Sequence, residues 1–342
     1  MKLIIVGSNR IYAIENFYVK YLRELGVNVL HFHAQHLFYN YYQKNIVNKV
    51  IFRSGLSKIL KVINEDFKKD VEQFEPDIIW IFKGMEILPD SLKWVKKRNI
   101  KLVNFNGDSP FIFSGRGSGN SNVTKSIPLY DLFLTYSRED KRTMETQYKI
   151  PSEILPFGFD LNNSLFNECS GIEEVKKACF LGNPDSYRGA FLNSLAAKNI
   201  EIDVYGNNWN KFVKHANIRV FDPIYGDEFW RILRRYRVQL NLMRPHNPTT
   251  HNMRSFEAGG VGAIQLAPDT LDHKLYFQEN AEIFLYTNLD SCCKQINLLM
   301  NKSNKDAANI RLGARERSIK SGYRYIDRSM QALKFLNDLK SM

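Results

Sequence analysis

Two charged side chains in the segment "TTHNMRSFEAGGVGAIQLAP" (249–268) have the spacing of a working pair. Arg254 and Glu257 are three apart, so on a helix they share one face. Two readings are open. They form a local ion pair on an ordinary helix, or they divide the labour of holding a nucleotide. In the second reading the backbone amides at the helix opening, Asn252 and Met253, meet a diphosphate with the helix dipole behind them. Arg254 adds a charge-assisted contact, and Glu257 accepts two hydrogen bonds from a ribose diol. Gly259, Gly260 and Gly262 end the helix and admit the next strand.

Other residues offer the same chemistry. In "FLGNPDSYRGAF", Gly182 and Asn183 form a turn after an apolar run, and Arg188 stands at the opening of a helix. This is a second place for phosphate, or a plain turn with a surface arginine. "VYGNNW" ends a strand at Tyr205 and Gly206, where a nucleobase could approach the backbone. "LMRP" puts Arg244 at the carboxyl end of another strand. Asp108 in "NFNGDSPF" also follows a strand. It is a candidate general base or sugar-hydroxyl ligand, or else an Asx-turn residue before Pro110.

These residues need elements to hold them. "KLIIVGS", a helical pattern from Ala13 to Leu25, and "VNVLHFH" make a β-loop-α-β unit, the start of a doubly wound sheet. "DIIWIF", "IKLVNFN", "YDLFLTYS" and "SEILPF" continue it to about residue 160. The pattern restarts with "KKACFLGN", "IEIDVYG", "VQLNLMRP", "GAIQLAP" and "AEIFLYT", and the tail from Leu289 is mostly helical. The expected plan is α/β, with two Rossmann-like domains facing an interdomain cleft. The boundaries fall at 1–160, 161–325 and a final helix at 326–342. Ligands in such sheets sit beyond the carboxyl ends of the strands.

Composition narrows the function. A chain of 342 residues with 44% hydrophobic composition can bury two cores. The opening is no signal peptide, and no run approaches a membrane span. Cys169, Cys179, Cys292 and Cys293 have no CxxC spacing, which fits reduced thiols in a cytoplasmic protein. A net charge of +12 favours anionic partners, yet no zinc finger, basic arm or RNA-binding signature accompanies it, so nucleic acid is not expected. "VGSNRI" lacks the G-x-G-x-x-G of a dinucleotide-binding turn. His31, His33 and His36 have no matching carboxylate or cysteine cluster, and no metal site is expected. "SGRGSGNSN" (114–122) is the one Gly/Ser-rich segment and lacks a P-loop ending. Asn45–Ile63 carries basic and apolar residues at loosely helical spacing. It fits an amphipathic domain helix or a peripheral contact with an acidic membrane face.

Taken in order, "FLGNPDSYR", "VYGNNW", "LNLMRP", "NMRSFEAGGVGAIQLAP" and "EIFLYTN" resemble the carboxyl-terminal half of GT-B glycosyltransferases. The similarity is to the CgeB-like glycosyl transferases group 1 proteins, related to retaining GT4-type families. It covers residues 175 to 325, and in the first half "NFNGDSPF" is similar to a further motif of that group. The resemblance implies a nucleotide-sugar donor on the second domain and a glycan, lipid-linked or protein acceptor on the first. It also implies a last helix that crosses back. Glu257 matches the ribose-binding second glutamate of an E-x7-E motif, whereas Thr249 stands where the first is expected. Arg188 matches a donor-phosphate arginine, without the lysine that often follows. There is no D-x-D pair. Arginines and a helix opening are therefore expected to stabilise the leaving diphosphate without metal or cofactor, with Arg254 favoured. A protein that binds a nucleotide sugar without turning it over is the alternative.

Overall fold

The computed structural model describes residues 1–113, 118–244 and 249–341. Of the Gly/Ser-rich segment, Ser114–Gly117 lie outside the described residues.

The chain divides into two compact units, Met1–Pro156 with Tyr325–Met342, and Phe157–Arg324. In the first, strands β1 (Lys2–Val6), β2 (Asn28–Phe32), β3 (Ile78–Phe82), β4 (Lys101–Asn106), β5 (Leu132–Thr135) and β6 (Ser152–Ile154) form a parallel sheet ordered β2-β1-β3-β4-β5-β6. Helices α1 (Ile14–Glu24), α2 (Ala34–Lys44), α3 (Ile46–Arg53), α4 (Ile59–Phe74), α5 (Pro89–Lys96), α6 (Ser121–Ser126) and α7 (Arg138–Thr143) run between them. All five residues of β3 are buried. A parallel sheet covered on both faces needs such continuous apolar runs. Ile4, Ile79, Ile81 and Leu102 pack with Phe67, Leu92 and Val95 from the helices.

The second unit opens with α8 (Asn163–Ser170) and contains β7 (Val175–Leu181), α9 (Ser186–Ala196), β8 (Ile202–Tyr205) and β9 (Ile218–Phe221). It continues through α10 (Gly226–Arg235), β10 (Tyr236–Leu240), α11 (Met253–Val261), β11 (Gln265–Pro268) and α12 (Leu271–Tyr276). It closes with β12 (Phe284–Tyr286), α13 (Leu289–Met300) and α14 (Asn304–Lys320). Its sheet is also parallel, ordered β12-β11-β10-β7-β8-β9. The last helix, α15 (Tyr325–Lys340), belongs to the first unit. There Tyr325 stacks on Phe17 with ring centroids 4.5 Å apart, and Gln331 donates to the Ile154 carbonyl at 3.0 Å.

Three local expectations need correcting. Asn45–Ile63 is two helices, α3 and the start of α4, because Gly55 between them adopts φ +78°. Gly259 and Gly260 do not end α11 but lie inside it. A Cβ on Gly260 would stand 2.5 Å from the Phe159 ring, and one on Gly259 would stand 2.7 Å from Ser318 Oγ of α14. Close helix packing, not termination, requires them, and Gly262 alone ends the helix at φ +68°. Finally, β9 pairs with β8 although its sequence, "IRVF", gave no clear strand signal.

Candidate active site

In the second unit the chain runs from β7 outward to β8 and β9, then returns to β10 on the other side of β7. Strand order reverses there, and the carboxyl ends of β7 and β10 frame the expected crevice. Asp185 caps α9 by accepting the Arg188 amide at 2.8 Å. The Arg188 side chain then turns back across the crevice. Its Nε and Nη2 donate to the Leu242 carbonyl at 3.2 and 2.7 Å, and Nη1 donates to that of Asn183 at 3.0 Å. Arg188 thus ties the ends of β7 and β10 together and is buried in doing so. Burial lowers its pKa to about 10, and the charges of Arg244 and Arg254 act in the same direction. The three guanidinium groups therefore share one electrostatic field, and Arg244 is the exposed one.

The start of α11 is fixed from several sides. Asn252 is the N-cap and accepts the Ser255 amide at 3.1 Å. It also exchanges hydrogen bonds of 2.7 and 3.1 Å with Asn241, just past β10. Ser255 Oγ meets His273 Nε2 at 2.9 Å, and His273 Nδ1 meets the Pro268 carbonyl at 2.8 Å. The capping box engages the third helical amide, and Met253 and Arg254 occupy the first two helical positions. Arg254 and Glu257 do form an ion pair, Nη1 to Oε2 at 2.8 Å. Arg254 Nη2 also donates to the Leu181 carbonyl at 3.2 Å, and its guanidinium lies 4.5 Å from the Phe229 ring centroid. Burial pushes the Glu257 carboxyl up and the Arg254 guanidinium down, and each one's charge opposes the shift of the other. Arg254 is thereby committed to β7 and to Glu257, whose carboxylate it orients.

The glycines of this edge have structural reasons. A Cβ on Gly206 would come 2.3 Å from the Gly182 carbonyl oxygen and 2.8 Å from Trp209 Nε1. That indole donates to the same Gly182 oxygen at 2.8 Å. Tyr205 stacks on Phe221 at 4.7 Å, and its hydroxyl meets that of Tyr236 at 2.9 Å. Tyr236 donates to the buried Asp203 at 2.7 Å.

In the first unit the strand order reverses between β1 and β3. Asn106 forms an Asx turn there, its Oδ1 accepting the Asp108 amide at 3.2 Å. The Asp108 carboxylate pairs with Lys83 Nζ at 2.8 Å. Lys83 follows β3 with φ +61°, a costly conformation for a non-glycine residue. Two buried carboxylates, missed in the sequence, lie in the field of the same lysine. Glu15 Oε1 accepts the Ser8 amide at 2.9 Å, and its carboxyl is pushed up by burial. Glu86 is pushed up to about 7, mainly by burial, with Lys83 opposing and Glu15 reinforcing the shift. A lysine directly after an apolar strand was the available signal. Sequence reading also missed the buried His251–Asp272 pair, 2.8 Å apart, ahead of α11. His31 and His33 meet edge to face at 4.4 Å, and burial lowers His31 to about 4. Among the described residues no group of three or more His, Cys, Asp or Glu is arranged to hold a metal ion.

Comparison with known proteins points to the same part of the chain. Residues 188–334 match the family described as glycosyl transferase-like. No curated protein matches the sequence. Among solved structures, a glycosyltransferase from Rickettsia africae has a TM-score of 0.68 at 12% identity, covering 99% of this chain and 98% of that one. Sucrose-phosphate synthase from Thermosynechococcus elongatus gives 0.70 at 10% identity, over 100% and 99%. The Anabaena protein HepE in complex with UDP gives 0.65 at 13% identity, over 99% and 100%. At these identities the likeness shows the fold. Residues 188–334 are thus similar to a glycosyl transferase-like family, in a chain whose two units share the GT-B fold of these structures.

Proposed function

We propose that the protein transfers a sugar from a nucleotide-sugar donor to a glycan, lipid-linked or protein acceptor, without a metal ion in the transfer step. One observation carries this reading. Arg188, Arg244 and Arg254 share a field where the strand order of the second unit reverses, beside the amino-terminal end of α11. Bond breaking at the donor puts charge on a departing diphosphate, and preorganised cations and amides stabilise that charge. Arg244, exposed, is the diphosphate contact. Arg188 holds the crevice ends together, and Arg254 positions Glu257 for the ribose hydroxyls. Gly182, Asn183, Tyr205, Gly206, Asn252 and Met253 supply the backbone framework around the donor. On the acceptor side, Asp108 is the candidate base or hydroxyl ligand, held in place by Lys83. HepE, a structural neighbour, is described in complex with UDP and with UDP-glucose, which supports a uridine nucleotide as the first donor to test. Surface polysaccharide or glycolipid assembly on the cytoplasmic side of a membrane would be the setting.

A thermal-shift panel of nucleoside diphosphates and nucleotide sugars tests the binding step. Ligand at a hundred times its Kd adds about 2.7 kcal/mol of stability. Slow hydrolysis of the stabilising nucleotide sugar would support transfer. No stabilisation by any nucleotide would refute the donor site. A second reading, binding without turnover, is favoured by Thr249 in the place of a glutamate. It predicts stabilisation with neither hydrolysis nor transfer.

A further inference from the structure

No acidic residue occurs from Leu25 to Asn64, while Lys44, Lys49, Arg53, Lys58 and Lys61 all fall in that stretch. The structure places α3 and the turn after it at the middle of this cationic segment, and none of the eight α3 residues is buried. Ile46, Val47, Val50 and Leu56 are 75%, 57%, 59% and 78% exposed. At roughly 100° per residue, Ile46, Val50 and Val47 occupy one face of α3, with Lys49 and Arg53 along its edge. The other side of the helix is anchored. The Phe52 ring lies 4.8 Å from that of Phe38, and Asn48 Nδ2 donates to the Tyr41 carbonyl at 2.8 Å. The apolar face is therefore held outward by packing behind it.

Isolated exposed apolar residues are ordinary, but a cluster rimmed by cations with no anion in its sequence neighbourhood has a specific complement. We propose that α3 and the following turn form a docking surface for an anionic lipid bilayer. Ile46, Val50 and Leu56 enter the headgroup–acyl boundary, and Lys49, Arg53 and Lys58 meet lipid phosphates. Among the described residues no helix is long and apolar enough to cross a membrane, so attachment of this kind would be peripheral and sensitive to salt. Vesicle binding needs no turnover, so the proposal stands or falls separately from the transferase reading.

The test is sedimentation of the whole protein with phosphatidylcholine vesicles and with vesicles containing about one third phosphatidylglycerol. Binding to the anionic vesicles only, weakening as salt is raised, is expected. The triple variant Lys49→Glu/Arg53→Glu/Lys58→Glu should lose about a hundredfold or more in partitioning, at about fivefold for each cation removed. Ile46→Ser/Val50→Ser/Leu56→Ser should also lose binding while its thermal unfolding is unchanged, since these side chains are exposed. Failure of the wild type to bind anionic vesicles at low salt overturns the proposal. So does equal capture of an RNA oligomer that survives the apolar substitutions, which would assign the surface to a polyanion. Dimerisation abolished by those substitutions, with no vesicle binding, would assign it to a second copy of the chain.

Discussion

Glu86 offers a sharp test of the cluster at the first unit's strand reversal. Its carboxyl holds its proton to about pH 7 in the folded chain, against an ordinary value of 4.5. Between these two values the folded state binds more protons than the unfolded state, so stability falls as pH rises through that window. At about 1.4 kcal/mol per pH unit the full effect is about 3 kcal/mol, and most of it lies between pH 5 and pH 8. Glu86→Gln removes the titration while nearly preserving shape. The advantage of the variant over the wild type should be about 1 kcal/mol at pH 5 and about 3 kcal/mol at pH 8. Lys83→Met removes the cation that opposes the shift and should steepen the wild-type decline. Chemical unfolding followed by fluorescence is the assay, with the buried Trp80 of β3 as a reporter in the same unit. A stability difference between wild type and Glu86→Gln that stays constant from pH 5 to pH 8 would show that burial does not hold the proton.

Four further outcomes are expected. Glu257→Ala should weaken nucleotide binding by about tenfold or more, since a hydrogen bond to a charged group contributes about 1.5–3 kcal/mol. Asp108→Ala should spare that affinity and lower transfer, and calorimetry beside a donor-turnover assay separates the two. Gly260→Ala drives a Cβ into the Phe159 ring and should cost about 1–3 kcal/mol. Gly313→Ala in α14, where the nearest atom would stand 3.8 Å away, should be neutral or stabilise by up to about 1 kcal/mol; thermal unfolding compares them, and equal losses would refute the packing argument. Arg237 is fully buried and donates to Glu174, Asn304 and the carbonyls of Leu299 and Lys302. Arg237→Met strands these acceptors and should destabilise by about 3–5 kcal/mol in urea unfolding; a cost under about 1 kcal/mol would show that water replaces them.

What could be read from the sequence follows the range of the forces involved. Continuous apolar runs such as "DIIWIF" announce strands buried on both faces, because period and burial are local properties. The edge strand β9 is short and half exposed, so its pattern carries little information. Side-chain partners are not local at all. Arg188 spends its donors on Leu242, and Lys83 finds Asp108 and the fields of Glu15 and Glu86, through the topology of the sheets. Spacing along the chain has no means of announcing such meetings. It did bring out Arg254 and Glu257, because three residues on a helix is a local relation.

The two strand reversals differ in a way that bears on chemistry. In the second unit, three arginines gather with Glu257 and Asp185 as their acidic counterparts. Arg188 is further held by the neutral carbonyls of Asn183 and Leu242. In the first unit one lysine faces Asp108, Glu15 and Glu86, two of them with raised pKa. A surplus of cationic donors suits a diphosphate, whose charge grows as the glycosidic bond breaks. A carboxylate such as that of Asp108 suits a hydroxyl group that donates a hydrogen bond and loses a proton. This contrast supports the proposed placement of the donor on the second unit and of the acceptor hydroxyl on the first. Arg244→Glu should abolish diphosphate affinity while leaving the first unit's titration, read through Glu86, unchanged. Nucleotide affinity that survives Arg244→Glu but falls with Lys83→Met would reverse the assignment.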